Sequence, residues 1–270
     1  MVGVLLKSLD SGMVTMHKTS NDIIVIADTQ VTMDAPLDHL HKLARYIWKH
    51  KPKHIVHIGD NWDFESLSFY ASPLESEGRR LVDDLKAGTK ALAIIPDYIE
   101  KMNKKARKKK YVPTYDFICG NHEMRLATMY KKNPALLGLV DLERIITSGG
   151  WNFHEYLYPM WIDGIAFNHF MPNPMSGKPI GGGIENKLNK HPHSFVHGHM
   201  QQYQFGRRQT MDGKPHFGVC AGSFYMHDEG YRGACNTEIR GFVHMKHFTN
   251  RYEFSDYDID FVSMERLLEM

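Results

Sequence analysis

Phe117-Ile118-Cys119-Gly120-Asn121-His122-Glu123 is an apolar run that stops at a glycine and passes at once into side chains able to bind metal or move protons. β-Formers inside, a glycine where backbone must pass closely and chemistry at the carboxyl end describe a buried strand that ends in a site. Two earlier segments have the same build, Ile23-Ile24-Val25-Ile26-Ala27-Asp28-Thr29-Gln30 and Ile55-Val56-His57-Ile58-Gly59-Asp60-Asn61-Trp62-Asp63. A later one, Ser194-Phe195-Val196-His197-Gly198-His199-Met200-Gln201, repeats it. Each of these apolar strands delivers acidic, amide or imidazole groups at its end.

The segments between them alternate in period. Asp34-Ala35-Pro36 is a helix start, with proline tolerated in the first turn, and Leu37, Leu40, Ala44 and Ile47 form an apolar stripe behind it. Pro52 ends that helix before a strand over His54 to Gly59, which makes a parallel strand-helix-strand unit. Residues 61 to 77 read as a loop with a short helix. Leu81, Leu85, Leu92, Ile95, Ile99 and Met102 predict a long helix from Gly78 to Lys110, bent at Pro96. A strand over Thr114 to Gly120 follows, then helices over His122 to Lys132 and Pro134 to Thr147. Beyond Gly149-Gly150 short strands take over. Asp163-Gly164 joins Met160-Trp161-Ile162 to Ile165-Ala166-Phe167-Asn168-His169 as a hairpin. Residues 171 to 183 form a Pro/Gly-rich loop; it lacks the GKS or GKT ending of a phosphate-binding loop, so Gly181-Gly182-Gly183 reads as flexibility. A short helix over Ile184 to Lys190 leads into the strand Ser194 to Gly198. Strands at 202–210 and 215–220, joined at Asp212-Gly213, and a closing pair at 240–248 and 251–258 complete the chain. One more short strand is expected around Met13 to Met16. With no internal repeat and no long linker, residues 1–270 read as one domain.

Bulk properties narrow the class. A chain of 270 residues with 42% hydrophobic content can bury a substantial core, and a net charge of +2 gives no global attraction to nucleic acid. Cys119, Cys220 and Cys235 have no CxxC spacing and cannot all pair within one chain, which points to a reducing, cytoplasmic compartment. No apolar run reaches the roughly 18 to 20 residues needed to span a bilayer, so no membrane partner is expected. The opening Val2-Gly3-Val4-Leu5-Leu6-Lys7 is too short for a secretory signal. Seventeen histidines favour a metal or proton-transfer site. The basic run from Lys101 to Lys110 is either a contact for nucleic acid or, the plainer alternative, a solvated helix end whose cations suit the helix dipole.

The polar strand ends, in order, are Asp28 and Gln30, Asp60 and Asp63, Asn121 and His122, His169, then His199 and Gln201. This order resembles the calcineurin-like metallophosphoesterase superfamily, whose pattern is D-x-H, G-D-x-x-D, G-N-H-[DE], a lone His, then G-H-x-H. The likeness runs from Asp28 to Gln201. The fold it implies is α/β, a four-layer αββα sandwich of two mixed β-sheets flanked by helices. In that arrangement the early parallel units build one sheet and the later hairpins the other. The activity it implies is metal-dependent hydrolysis of a phosphate ester, with metal-activated hydroxide as nucleophile and no covalent enzyme intermediate.

The chemistry suits those residue types. Two divalent ions roughly 3.5 to 4 Å apart clamp a phosphoryl group and activate a water, and holding them so close needs a bridging anion. Asp60 is the candidate bridge. The resemblance implies one ion on Asp28, Gln30, Asp60 and Gln201, and a second on Asp60, Asn121, His169 and His199. It also implies that His122 stabilises phosphate charge or protonates the leaving oxygen, with Asp63 orienting its ring. His154 is the alternative to His169, which is preferred because it ends an apolar strand. Arg125, one turn beyond His122, is a candidate fork donor to a phosphate oxygen; the alternative is an ordinary helix-surface arginine. Glu123 is a candidate supporting neighbour. Tyr203, Trp62 and Tyr225 are either walls of a nucleotide pocket or core packing.

Two departures from the pattern fall at one ion. Gln30 and Gln201 stand where the family has histidine, and amide oxygen is a harder, weaker ligand than imidazole nitrogen. That ion is therefore expected to bind more weakly and to be Mn²⁺ or Mg²⁺ rather than Zn²⁺, with Ni²⁺ and Fe also within reach; a site holding only one metal is the competing expectation. The expected substrate is a phosphodiester of nucleotides or short nucleic acid. The alternatives are a DNA nuclease or exonuclease, a phosphomonoesterase acting on protein or small molecules, and a non-catalytic metal-binding protein. The compact chain and its two glutamines resemble superfamily members carried by bacteriophages, which would place it in a host cytoplasm.

Overall fold

Ile23 to Ile26 form a strand with no solvent exposure, paired on both edges and covered on both faces. In this computed structural model, which describes residues 21–68, 77–107, 110–228 and 237–270, that strand is β1. Next come α1 (Asp38–His50), β2 (His54–His57), α2 (Leu81–Lys105) and β3 (Thr114–Ile118). They are followed by α3 (Met124–Lys132), α4 (Leu142–Ser148), β4 (Asn152–His154), β5 (Met160–Ile162) and β6 (Ile165–Asn168). The chain ends with α5 (Ile184–Leu188), β7 (Phe195–His197), β8 (Tyr203–Arg208), β9 (His216–Ala221), β10 (Gly241–Thr249), β11 (Ser255–Ser263) and α6 (Met264–Glu269). The strand expected near Met13, and Cys235, Lys108 and Lys109, lie outside the described residues.

One sheet has the order β11-β10-β1-β2-β3-β4 and the other β5-β6-β7-β9-β8. Both mix parallel and antiparallel pairs. Alternation along the strands sorts the side chains into layers. Ile24, Ile26, Ile55 and Phe117 pack with residues of α1, α2, α4 and α6. Their neighbours Ile23, Val25, Val56 and Ile118 face Phe167, Val196, Phe217 and Val219 of the second sheet. The outer face of that second sheet, through Ala166 and Phe195, is covered by Ile184 and Leu188 of α5 and by Met171 and Ile180. This is the expected α/β sandwich of two mixed sheets flanked by helices, with a thin fourth layer.

The division of strands differs from the sequence expectation. The closing hairpin, β10 with β11, does not extend the second sheet; β10 pairs antiparallel with β1 and completes the first. Strand partners are set by long-range packing, to which a local pattern is blind. The last strand runs over Ser255–Ser263 rather than 251–258, and α6 follows, capped by the Ser263 hydroxyl, which accepts from the Arg266 N–H. The helix foreseen at Pro134 to Thr147 is a 3-10 turn at Pro134–Leu136 and then α4, whose start is capped by Asp141. The long helix stops at Lys105, short of Lys110, and runs through Pro96. Proline has no N–H to offer Leu92 four residues back. The indole N–H of Trp151 bonds that carbonyl instead, at 3.1 Å. The Asp163-Gly164 hairpin forms as expected, both residues with positive φ and β5 paired antiparallel with β6.

Candidate active site

The carboxyl ends of β1, β2 and β3 in one sheet meet those of β6 and β7 in the other. The turns leaving them are locked together by backbone bonds. Asp28 N–H donates to Gly59 O at 3.1 Å, Gln30 N–H to Asp60 O at 2.9 Å and Gly198 N–H to His169 O at 2.9 Å. Asp28, Gln30, Asp60, His199 and Gln201 all sit at positive φ, between 39° and 66°. Such backbone costs about 1–3 kcal/mol per residue and persists where the surroundings over-determine it. Five of the seven candidate ligands carry it.

Glycine makes room for the carboxylates. A Cβ on Gly120 would stand 2.1 Å from Asp60 Oδ1, and one on Gly198 would stand 2.4 Å from Asp28 Oδ2. Gly120 and Gly198 are thus seats for acidic side chains. Glu123, 3% exposed, completes the frame. Its two oxygens accept from the backbone N–H groups of Gly120, Asp60, Asn61 and Trp62 at 2.7 to 3.3 Å. One buried carboxylate thereby staples the turn after β2 to the turn after β3.

Asp60, Asn121, His169 and His199 converge. Asn121 Oδ1 lies 2.8 Å from His169 Nε2 and 2.7 Å from His199 Nδ1, and Asp60 Oδ2 lies 3.3 Å from His169 Nε2. The ligand atoms of Asp60, His169 and His199 all fall within 4.8 Å of one another. His169 Nδ1 is 2.8 Å from the Ile58 carbonyl, which fixes the ring and turns Nε2 into the cluster. Burial opposes charge on His169, but the adjacent Asp60 carboxylate outweighs it and raises the imidazole to about 9. The alternative His154 is on β4, bonded to Asp116 at 2.9 Å, away from this group.

Beside the cluster lie Asp28 and Gln30. Asp28 Oδ2 accepts from His199 N–H at 2.9 Å, while Asp28 Oδ1 and Gln30 Oε1 are buried with no hydrogen-bond partner. Burial, reinforced by Asp60, pushes the Asp28 carboxyl up to about 7. Two buried oxygens without partners cost several kcal/mol unless a cation supplies the missing charge, so these residues fit a hard divalent ion. Gln201 differs: its Oε1 accepts from the Tyr225 hydroxyl at 3.0 Å, leaving one lone-pair direction.

His122 stands at the mouth. Its N–H donates to Asp60 Oδ1 at 2.9 Å, its Nδ1 is 2.8 Å from Asp63 Oδ1 and its Nε2 is 3.8 Å from Asp60 Oδ2. Desolvation works against its charge, yet Asp60 and Asp63 prevail and raise it to about 9. Arg125 is no surface arginine. Nη1 donates to Asp63 O at 2.7 Å and Nη2 lies 3.2 Å from His122 Nε2. Of the three candidate pocket aromatics, Trp62 is fully buried, Tyr225 is taken up by Gln201 and Tyr203 stacks on Phe261 at 4.3 Å, so all three pack. Among the described residues, Tyr156 and Phe170 lie beside the cluster, at 6.5 and 5.3 Å from the His169 and His199 rings respectively. Neither lies in a strand-end motif, and no spacing marked them.

No described helix is long and apolar enough to cross a membrane. No protein-family model matches the chain, and no curated protein does. Among solved structures, the E. coli phosphoesterase YfcE is 12% identical over 83% of this chain and 87% of its own, with a TM-score of 0.37. Vps29 of Chaetomium thermophilum is 11% identical over 89% of this chain and 95% of its own, also at 0.37. Both likenesses are distant, and the site's own geometry carries the functional reading.

Proposed function

We propose that this chain is a divalent-metal-dependent phosphoesterase that hydrolyses phosphodiesters of nucleotides or short nucleic acids. The observation that carries the proposal is the pairing of two partnerless buried oxygens, on Asp28 and Gln30, with the convergence of Asp60, Asn121, His169 and His199. Asp28, Gln30, Asp60 and Gln201 would hold one ion, and Asp60, Asn121, His169 and His199 the other. Bound there, divalent cations would supply Lewis-acid charge and lower the pKa of water at the site.

The chain's own groups do the rest. His122 is oriented by Asp63 through Nδ1, and its Nε2 lies 3.8 Å from Asp60 Oδ2 and within reach of an Arg125 N–H. With a proton on Nε2 the Arg125 donor has to turn away, and that proton is the one a leaving oxygen needs. Arg125, held by the Asp63 carbonyl, adds one fixed positive charge beside it. Carboxylate and amide oxygens on the Asp28 side favour Mn²⁺ or Mg²⁺.

The test is hydrolysis by metal-stripped protein reconstituted with Mn²⁺, Mg²⁺, Ni²⁺ or Zn²⁺, comparing bis-p-nitrophenyl phosphate with p-nitrophenyl phosphate. Mn²⁺-dependent turnover of the diester is expected, lost by a factor of about 10² or more in His122→Ala and in Asp60→Asn. Metal binding without turnover of either ester would leave a metal-binding protein instead.

A further inference from the structure

Ten of the chain's 33 lysines and arginines fall in two short segments, 49–53 and 101–110, and neither segment holds an acid. The rest of the chain has 23 basic side chains against its 31 acidic ones, so a net charge of +2 conceals a strong segregation. The fold brings the two segments together. α1 and α2 each return the chain to the start of the next parallel strand, so both end at the amino edge of the first sheet, where Lys53 precedes β2 and Lys110 precedes β3. There the Thr114 N–H donates to Lys53 O at 2.9 Å and the Tyr111 hydroxyl to Pro52 O at 2.5 Å. The Asn103 amide, near the end of α2, exchanges two bonds with the Tyr111 backbone at 2.7 and 2.9 Å.

Lys49, Lys53, Lys101, Lys105, Arg107 and Lys110 are all exposed on this end. Among the described residues none of the six is in an ion pair, whereas Lys104 pairs with Glu100 at 2.6 Å. The helix dipoles account for Lys49 and Lys105, which stand in last turns, but that pull dies away within the turn. Lys53, Arg107 and Lys110 lie beyond the helix ends, where gathered like charges only repel one another.

We infer that this end of the molecule binds the phosphate backbone of duplex DNA, apart from the metal-ligating cluster. At about 3.3 Å per residue along β2, Lys53 stands roughly 20 Å from Asp60. The face is therefore a second attachment, and it does not depend on the phosphodiesterase reading. A duplex presents about one negative charge per 1.7 Å of its axis, the density that unpaired cations on a rigid edge match. Single strands are held by stacking as well as charge, and the rings here are already engaged. The Lys51 ammonium lies 2.6 Å from the Trp48 ring centroid and 4.8 Å from that of Tyr111, between two surfaces on which unpaired bases would otherwise stack.

The experiment uses the full chain in EDTA, so that nothing is hydrolysed. Fluorescence anisotropy follows a labelled duplex of about two helical turns, with its single strand and phosphatidylserine vesicles alongside. Between about 50 and about 200 mM salt, six phosphate contacts predict a slope of log K against log salt near −5 and a loss of about 10³ in affinity. Lys49→Gln with Lys53→Gln, and separately Lys101→Gln with Lys105→Gln, should each reduce the magnitude of that slope by about 2. Lys178→Gln with Lys190→Gln removes the same charge from exposed positions elsewhere and should leave the slope unchanged. No duplex binding at about 50 mM salt, an equal loss in the Lys178 and Lys190 variant, or tighter binding of the single strand or of the vesicles overturns the proposal. A chain inactive on every ester would end the phosphodiesterase reading and leave this measurement intact.

Discussion

The proposed reading puts Gln30 and Gln201 at the same ion, yet their surroundings differ. Gln30 Oε1 is buried and partnerless, whereas Gln201 Oε1 is engaged by Tyr225. On that reading Gln30 is the better ligand of the two, and an ion near it should bind more weakly than one among Asn121, His169 and His199. Position 30 has a φ of 39°, a region in which histidine is more at ease than glutamine. Gln30→His should therefore fold well and offer imidazole to the same ion. Competition titration against a Zn²⁺-sensitive dye should show two unequal affinities in the native chain, with the weaker tightened about tenfold or more in the variant. Two equal, tight Zn²⁺ sites in the native chain would sink this account.

The strand ends were legible because each of them condenses a buried apolar run, a close backbone approach and a polar terminus into a few residues. β1, β2, β3 and β7 could be read in this way, and β6 through the Asp163-Gly164 turn before it. What could not be read is what depends on a distant partner. β10 pairs with β1 more than 200 residues away, and nothing within Gly241–Thr249 says so. Glu123 is one acid in a helix-start sequence until its four N–H donors are seen. The role of α2 is similarly hidden. Asn61 Nδ2 donates to Gly88 O at 3.1 Å and the Trp62 indole N–H donates to Leu85 O at 3.3 Å, so the helix clamps the turn that carries Asp60 and Asp63. A Cβ on Gly88 would stand 2.1 Å from the Trp62 ring. Gly88→Ala gains helix propensity yet should lose about 1–3 kcal/mol through overpacking, because a fully buried indole has nowhere to move. Urea unfolding in EDTA reads the loss, and Mn²⁺ titration should show weaker binding because Asp60 is displaced with the turn. Unchanged stability and affinity would mean that the turn holds itself.

The two sheets meet at a charge problem, and pH exposes how the metal-free molecule solves it. Asp28, Asp60 and Asn121 come from one sheet, His169 and His199 from the other. Without ions, His122 and His169 are raised from 6.5 to about 9 chiefly because Asp60 outweighs their burial. Their contribution is fully present below pH 6.5 and is lost as pH rises through 9. Burial has the opposite effect on His39, His57, His197 and His199, lowering them from 6.5 to between about 3 and 4. These four stabilise the fold above pH 6.5 and cease to do so as pH falls below it. Asp28, raised from 3.8 to about 7, runs against them, as do Glu123 and Asp84, whose carboxyls burial also raises; burial lowers His50, His54 and His191 too, so the imidazoles are the larger set. The metal-free chain should accordingly be most stable near pH 6.5 and weaken on both sides. On the proposed reading divalent ions would take the places that protons hold on His169 and Asp28, so binding would release those protons and remove the reason for the alkaline loss. Urea midpoints from pH 5 to pH 9 should peak near 6.5 in EDTA, whereas in excess Mn²⁺ they should stay level or rise above neutrality. A flat metal-free profile between pH 6.5 and 9 would mean that Asp60 does not hold the two imidazoles as cations, and that something other than charge joins the sheets at this seam.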